Sequence, residues 1–166
     1  MLNPQSNPNE ENYKIALAKA MQWCASEEHC LWDVRRKLTR LGCDPSDINQ
    51  ILQRLTTEDF INENRYALAF ASGKFNLFKW GKNKTAAALR MKSIPEQFIA
   101  RALESIDAAA YRDTLNKLLN KKKHELSGET SLEMKQKLLR FALQKGYEAD
   151  MVYALLRMTD EMPMPE

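Results

Sequence analysis

Residues 31–55 read LWDVRRKLTRLGCDPSDINQILQRL, and this stretch holds a pattern that recurs through the chain. Apolar residues stand three or four positions apart on either side of Gly42, a spacing that predicts two short amphipathic helices. Gly42 is expected just after the first helix, because glycine adopts a positive φ without a Cβ clash. Asp44 and Pro45 suit the N-cap and the first turn of the second helix.

The same pattern occurs twice more along the chain. The first copy consists of Val34, Leu38, Gly42, Ile48, Ile51 and Leu52, the second of Thr85, Leu89, Ser93, Ile99, Ala102 and Leu103, and the third of Leu138, Ala142, Gly146, Val152, Leu155 and Leu156. Each copy has apolar residues at helical spacing, a small residue that ends one helix, and a second helix with an apolar stripe. One such unit is too small to bury its apolar face fully, so the units are expected to pack on one another in a row.

We therefore expect an all-α protein, a tandem array of three three-helix units that forms an elongated, curved helical repeat. The expected parts are a disordered N-terminal tail (1–11), a first unit (12–60), a second, basic unit (61–107), a third unit (108–159) and a loose C-terminal tail (160–166). The low content of five Gly and six Pro favours helix over a fold with many turns. Such an array offers an extended surface for binding a large partner rather than a pocket for catalysis. A monomer is its simplest oligomeric state.

Local signals predict several helix boundaries. The first helix is expected to begin near Asn12. Asn62 suits the N-cap of the first helix of the second unit, and Trp80–Gly81 is expected to separate that helix from the next one. Thr130 and Glu133 have the spacing of a capping box, which predicts a helix start in the third unit.

Composition bounds the class of protein. The chain has 166 residues, of which 44% are hydrophobic and 28% charged, which is enough for a packed core. No apolar run approaches the roughly 20 residues of a membrane span, and the polar N-terminus does not resemble a signal peptide. We therefore expect a cytoplasmic protein without membrane contact. Phosphate-loop, HExxH and GxSxG motifs are missing from the sequence, so we expect neither an enzyme nor a cofactor.

Cysteines and histidines are few. Cys24, Cys30 and Cys43 form no CxxC pair, and in a reducing cytoplasm they are expected to be buried or half-buried. A zinc site from Cys24, His29 and Cys30 would lack a fourth ligand at the usual spacing and is disfavoured. His29 and His124 are expected at the surface, and they leave little for general base catalysis.

Charge is distributed unevenly along the chain. The segment 64–95 carries seven basic residues and no acidic residue, a charge of +7, whereas the rest of the chain has 18 basic and 22 acidic residues, a balance of −4. The seven cations are Arg65, Lys74, Lys79, Lys82, Lys84, Arg90 and Lys92. They cannot be neutralised by i,i+4 pairs within their own segment, so we expect contact with an external anion, either nucleic acid phosphate or an acidic protein groove. The alternative is a solvated face of lysines.

Aromatic residues are interleaved with these cations. Phe75 and Phe78 are expected to pack in the core. Trp80 is left open between core packing and stacking on the bases of single-stranded nucleic acid. A weaker basic patch is expected in the first unit, at Arg35, Arg36, Lys37 and Arg40, and the run 121–123 is interpreted as solvated lysines.

Several motifs in this order resemble the RecX family of recombination regulators, or RecA modulators. They are DVRRKLTRLG at 33–42, DFINENRYA at 59–67, KWGK at 79–82, and the segment from Leu89 through KSIP at 92–95 to Leu103. The resemblance covers about 13–159. Departures mark a divergent member: Ser26, Cys30 and Asp33–Val34 replace an arginine, a serine and a Glu-Leu pair, and Ser93 and Thr85 stand where glycine and an aliphatic residue are usual.

The resemblance implies a cytoplasmic protein of tandem three-helix units that works without a cofactor. It implies binding to the RecA recombinase filament on single-stranded DNA and restraint of its recombination and ATPase activity, in DNA repair and the SOS response. The residues expected to face partner or DNA phosphate are Lys74, Lys79, Trp80, Lys82, Lys84, Arg90 and Lys92. Two alternatives stay open: a stand-alone DNA-binding protein of helix-turn-helix type, and an adaptor for another acidic protein.

Overall fold

A computed structural model describes residues 8–158, and within them it contains nine α-helices and no strand. The helices are α1 (Pro8–Ser26), α2 (Leu31–Arg40), α3 (Pro45–Thr57), α4 (Glu63–Phe78), α5 (Lys82–Met91), α6 (Glu96–Glu104), α7 (Ala108–Glu125), α8 (Ser131–Lys145) and α9 (Ala149–Met158). The extensive helix–helix contacts lie within α1–α3, within α4–α6 and within α7–α9, here called the first, second and third units. The expected all-α helical repeat is confirmed. None of these helices is long and apolar enough to span a membrane.

The first helix is longer than the sequence predicts. It begins at Pro8 rather than near Asn12, so residues 8–11 of the expected N-terminal tail are helical. Glu10 and Glu11 lie in the first turn, where carboxylates stabilise the positive end of the helix dipole. The expected C-terminal tail, 160–166, lies outside the described residues.

The three-fold repeat extends to backbone geometry. Gly42, Ser93 and Gly146 have φ angles of 77°, 60° and 92°, and each follows the end of a helix. After each of them the next amide donates to a carbonyl five residues back: Cys43 to Leu38, Ile94 to Leu89, and Tyr147 to Ala142. This bond is that of the Schellman motif, so all three units turn in the same way. The expectation that a small residue ends each of these helices is confirmed.

The apolar core is divided into two parts rather than three. One cluster of buried residues lies within the first unit, from Ala16 to Ile61. The other is continuous through the second and third units and also includes Cys30 from the first. The second and third units therefore share a single core, and the two largest fully buried side chains, Tyr111 and Tyr147, belong to it.

A direct backbone contact joins the second unit to the third. The amide of Gly81 donates to the carbonyl of Lys145 at 2.8 Å, and the amide of Asn83 donates to the carbonyl of Gly146 at 3.0 Å. A Cβ atom on Gly81 would lie 2.2 Å from the carbonyl carbon of Gly146. The absence of a side chain at position 81 is what allows the two backbones to approach.

Two tyrosine hydroxyls also form hydrogen bonds between the second and third units. Tyr111 accepts a hydrogen bond from the Lys82 amide at 2.8 Å and donates to Glu148 at 2.6 Å. Tyr147 donates to the carbonyl of Lys79 at 3.1 Å. The end of α4 and the start of α5 are thus both hydrogen-bonded to the third unit.

The joint between the first and second units contains ion pairs as well as apolar packing. Lys92 pairs with Asp33 at 2.5 Å, and the Cys30 thiol also donates to Asp33, at 3.2 Å. Arg65 pairs with Glu28 at 2.5 Å. This joint therefore combines ion pairs with the packing of Cys30 and Trp32 on the core of the second unit, whereas the joint between the second and third units combines a shared core with close backbone approach.

Individual expectations differ in outcome. Asn62 caps α4 by accepting from the Arg65 amide, and Thr130 with Glu133 forms the predicted capping box. Asp44 occupies the N-cap of α3, but its side chain makes no capping bond. The expectation of a surface position for His29 is wrong: it is 8% exposed and stacks on Trp23, with 3.5 Å between the ring centroids.

The cysteines lie where the sequence predicts. Cys24 and Cys30 are buried and Cys43 is half-buried. Burial raises the pKa of the Cys24 and Cys30 thiols to about 11, so both stay protonated at neutral pH. In the part of the chain that the structure describes, no cluster of His, Cys, Asp and Glu is arranged to hold a metal ion.

Candidate anion-binding site

The basic segment is shaped by the turn between α4 and α5. Lys79 ends α4 in the left-handed conformation, with φ 56°, and its amide donates to the carbonyl of Phe75. The amide of Trp80 donates to the carbonyl of Lys74, and Gly81 takes the N-cap of α5. This geometry folds Trp80 back over the last turns of α4 and places α5 beside it.

Trp80 lies between two lysines. The Nζ of Lys74 is 4.9 Å from the Trp80 ring centroid, and the Nζ of Lys84 is 4.6 Å from it. Lys74 also lies 5.2 Å from the ring of Phe70 and 4.8 Å from that of Phe78. Such cation–π contacts fix the direction of a lysine without neutralising its charge. We call Trp80, Lys74, Lys84 and Phe78 the Trp80 patch.

The aromatic residues of this region divide between core and surface. Phe75 is 9% exposed and packs on Tyr111, as expected. The expectation for Phe78 is wrong, because it is 52% exposed and lies against the Nζ of Lys74 on the last turn of α4. Trp80 is half-buried, meets Phe70 edge-on with 6.5 Å between the ring centroids, and also contacts the two lysines. Its stacking on nucleic acid bases stays a prediction. The spacing of apolar residues along a helix does not show how far a neighbouring unit covers that helix. It therefore does not show which of these residues are exposed.

Four of the expected cations have no carboxylate partner within residues 8–158. These are Lys74, Lys79, Lys82 and Lys84. Lys79 donates to the carbonyl of Asn76 at 2.7 Å, and the Nζ of Lys82 lies 5.1 Å from the ring centroid of Tyr111. All four lie on the segment from the end of α4 to the start of α5. This segment therefore carries uncompensated positive charge at one corner of the second unit, which favours contact with an anion.

The other three cations of the basic segment are paired. Arg90 binds Glu96 through two bonds of 2.6 and 3.0 Å, and Lys92 is half-buried against Asp33. Arg65 pairs with both Glu28 and Asp59. Arg90 and Lys92, which we expected to face the anion, therefore do not join the Trp80 patch. The sequence did not indicate the Lys92 pair because Asp33 lies 59 positions away.

The Asp33–Lys92 pair is half-buried. Burial raises the pKa of the Asp33 carboxyl, but hydrogen bonds from Lys92 and Cys30 outweigh burial, and its pKa lies below the ordinary value. Asp33 is therefore ionised at neutral pH and holds Lys92 in the joint. Lys92 has a structural role here, and the uncompensated charge stays with the four lysines.

The structure of this chain is similar to two crystal structures. One is of RecX from Lactobacillus salivarius, with a TM-score of 0.79 and 19% identity over 90% of this chain and 97% of that one. The other is described as regulatory protein RecX, with a TM-score of 0.82 and 19% identity over 90% of this chain and 73% of that one. At this identity the similarity shows a shared fold.

Sequence comparison identifies relatives named "Regulatory protein RecX". One from Clostridium perfringens is 32% identical over 127 residues, which are 75% of this chain and 59% of that protein. One from a Mycobacterium species is 26% identical over 153 residues, which are 90% of this chain and 82% of that protein. The chain thus spans about 59% of the length of the clostridial relative.

Family models match the two units that carry and support the Trp80 patch. Residues 62–103 match the second three-helix domain of RecX, and residues 110–156 match its third three-helix domain. Together these matches cover more than half of the chain, in the order in which the structure places the units. With its three-helix repeat and its regulatory relatives, the chain belongs to the RecX family.

Proposed function

We propose that this chain is a non-enzymatic regulator that binds the RecA recombinase filament on single-stranded DNA and restrains its recombination and ATPase activity. It would act in the cytoplasm as a monomer and without a cofactor. Membership of a family of regulatory proteins supports this proposal. The observation that carries it is the group of four lysines without carboxylate partners around Trp80.

The arrangement of the units supports binding to an extended partner. The second and third units share one core and a direct backbone joint, so they present the Trp80 patch on a firm support. The first unit adds a further surface through the Asp33–Lys92 joint. Several weak contacts on linked units combine into tight binding when the units can engage together. The patch would meet DNA phosphate or acidic protein surface.

The test compares two charge-matched variants on recombinase filaments. Lys74→Gln/Lys84→Gln removes the two lysines that contact Trp80, and Lys121→Gln/Lys123→Gln removes two exposed lysines of the third unit. Filaments formed on single-stranded DNA with nucleotide are sedimented with each variant, and their ATPase rate is measured. We expect the patch variant to need roughly tenfold more protein for half-inhibition, and its inhibition to depend less on salt.

The outcomes separate the claims. If the unaltered chain neither sediments with filaments nor slows ATP turnover, the proposed function is wrong. If both variants inhibit equally at every salt concentration, the Trp80 patch is not the contact. Sequence-selective binding to duplex DNA without recombinase would instead favour a stand-alone DNA-binding protein of helix-turn-helix type.

A further inference from the structure

A second cluster of aromatic and basic side chains lies on the first unit. A cleft between the end of α1 and one face of α2 is lined by Trp23, His29, Trp32, Arg36, Lys37 and Arg40, with Asp33 at its side. Lys37 places its Nζ 3.7 Å from the ring centroid of Trp23, and Arg36 places its Cζ 4.4 Å from that of Trp32. We call this cluster the α2 cleft. Like the Trp80 patch, it combines aromatic rings with basic side chains, but it belongs to the first unit.

The basic residues of the α2 cleft are not paired with carboxylates of the described residues. Across the described helices, Arg36, Lys37 and Arg40 form no ion pair with a carboxylate, and Asp33 is taken up by Lys92. Arg36 and Arg40 stand one helical turn apart and are both exposed. On the α1 side, Glu27 lies 3.5 Å from His29 and is itself exposed, whereas Glu28 is paired with Arg65. The cleft therefore carries three cations against one exposed carboxylate.

The two tryptophan rings hold the cations in place, and the ring faces are therefore not open for stacking on a base. His29 stacks on one face of Trp23, so the Nζ of Lys37 lies over the other face. Trp32 is contacted by both Arg36 and Lys92, at 4.4 and 5.1 Å. A guanidinium that rests on an indole keeps its N–H groups available for an anion. The ligand would thus be recognised by its charge, with the rings fixing the geometry.

The charge of the α2 cleft indicates the class of partner. Interfaces between proteins have an apolar centre depleted of charged residues, whereas interfaces with nucleic acid are much more positively charged. Here the exposed side chains on the open face are basic, and the tryptophans are half-buried beneath them. We propose that the α2 cleft is a second binding site, separate from the Trp80 patch, for the phosphate backbone of single-stranded nucleic acid.

This site goes beyond the proposed function, since it needs no recombinase. The family matches at 62–103 and 110–156 do not include α2. Two sites on different units make the chain bivalent for one strand, and occupation of the first raises the effective concentration of the strand at the second.

The test uses the full chain and a fluorescent single-stranded oligonucleotide without recombinase. Arg36→Gln/Arg40→Gln alters the cleft, and Arg35→Gln/Lys19→Gln removes the same charge outside it. Arg35 is a close control because it neighbours Arg36 but bonds to Asn49 on α3. We expect the cleft variant to bind roughly fivefold to tenfold more weakly. Its plot of log affinity against log salt should be less steep by about 1.4, since each single-strand phosphate contact contributes about 0.7.

A second measurement detects binding of the oligonucleotide at the first unit. The chain has three tryptophans, and Trp80→Phe leaves Trp23 and Trp32, which both line the α2 cleft. We expect the tryptophan fluorescence of this variant to change when the oligonucleotide is added. Circular dichroism confirms that each variant is folded.

Three results would overturn this proposal. The first is an equal loss of affinity in the cleft and control variants, which would indicate a general effect of net charge. The second is unaltered fluorescence of the Trp80→Phe variant while the oligonucleotide is bound. The third is displacement of the oligonucleotide by poly-glutamate at lower charge concentration than by unlabelled strand, which would identify an acidic protein as the ligand. Because recombinase is absent, each result is independent of the filament test.

Discussion

Gly81→Ala tests the joint between the second and third units. The Cβ atom of alanine would lie 2.2 Å from both the carbonyl carbon and the oxygen of Gly146, and 2.3 Å from the amide nitrogen of Tyr147. All three are backbone atoms, which cannot rotate away as a side chain does. Gly81 itself has φ −77° and ψ 167°, a conformation that alanine adopts without strain. The substitution therefore perturbs the contact alone.

The expected cost follows from the bonds at the joint. Ordinary carbon contacts are about 3.5–4.0 Å long, so the two backbones must separate by roughly 1 Å or more. That shift breaks or weakens the bonds from Gly81 to Lys145 and from Asn83 to Gly146, and it strains the two tyrosine hydroxyl bonds beside them. At about 1 kcal/mol for each hydrogen bond, we expect a loss of about 2–4 kcal/mol in the free energy of unfolding.

The measurement is urea unfolding followed by far-UV circular dichroism. Gly73→Ala is the matched control, because Gly73 lies inside α4 and a Cβ there would meet nothing within 4 Å. We expect that variant to be more stable by about 0.5–1 kcal/mol, since alanine favours helix over glycine. If Gly81→Ala stays within about 0.5 kcal/mol of the unaltered chain, the backbone contact does not hold the joint.

Three further predictions concern stability. Ser93→Gly should stabilise the chain by about 1 kcal/mol, because Ser93 has φ 60° and glycine adopts this conformation freely; chemical denaturation measures the gain. Burial lowers the pKa of His29, so the unfolded chain binds a proton more readily, and stability should fall as the pH drops below about 6.5. His29→Gln should reduce that dependence in thermal unfolding between pH 5.5 and 8. Lys92→Met should cost about 2 kcal/mol, because it leaves Asp33 ionised in the joint without its cation.

Each of these predictions has a control. A Ser93→Ala variant keeps a Cβ atom at the positive φ, so an equal gain there would contradict the backbone explanation. An equal pH dependence in the unaltered chain and in His29→Gln would show that this imidazole is not the cause. Near His29, Glu27 and Asp33 favour its protonation, while Lys37 and Lys92 oppose it. Asp33→Asn in addition to Lys92→Met should recover most of the loss, and failure to do so would show that the charge is not the cause.

Much of the fold could be predicted because its signals are local. The repeat of apolar residues at helical spacing identified the helix pairs, and Gly42, Ser93 and Gly146 marked the turns. The structure gives those turns the same Schellman bond in all three units. A capping box or a positive φ depends on residues within one or two turns of each other, so sequence spacing is sufficient to find them.

The candidate site could be predicted only in part. The run without carboxylates drew attention to the lysines around Trp80, but it did not indicate the pairing of Lys92 with Asp33 or of Arg65 with Glu28. Those pairs join residues that are 59 and 37 positions apart. The predicted burial of Phe78 and the predicted exposure of His29 are wrong for a related reason, because burial depends on what packs on a side chain in three dimensions. Trp23 stacks on His29, whereas Phe78 lies exposed against Lys74.

The sequence by itself determined the helices, their turns and their grouping into repeated units, because these follow from contacts between residues close in the chain. Only the tertiary structure decided that the second and third units share one core, that Gly81 meets Gly146, and which cations keep an uncompensated charge. Each of these depends on the packing of one unit against another, and neither charge nor hydropathy along the chain encodes the distance between two units in space.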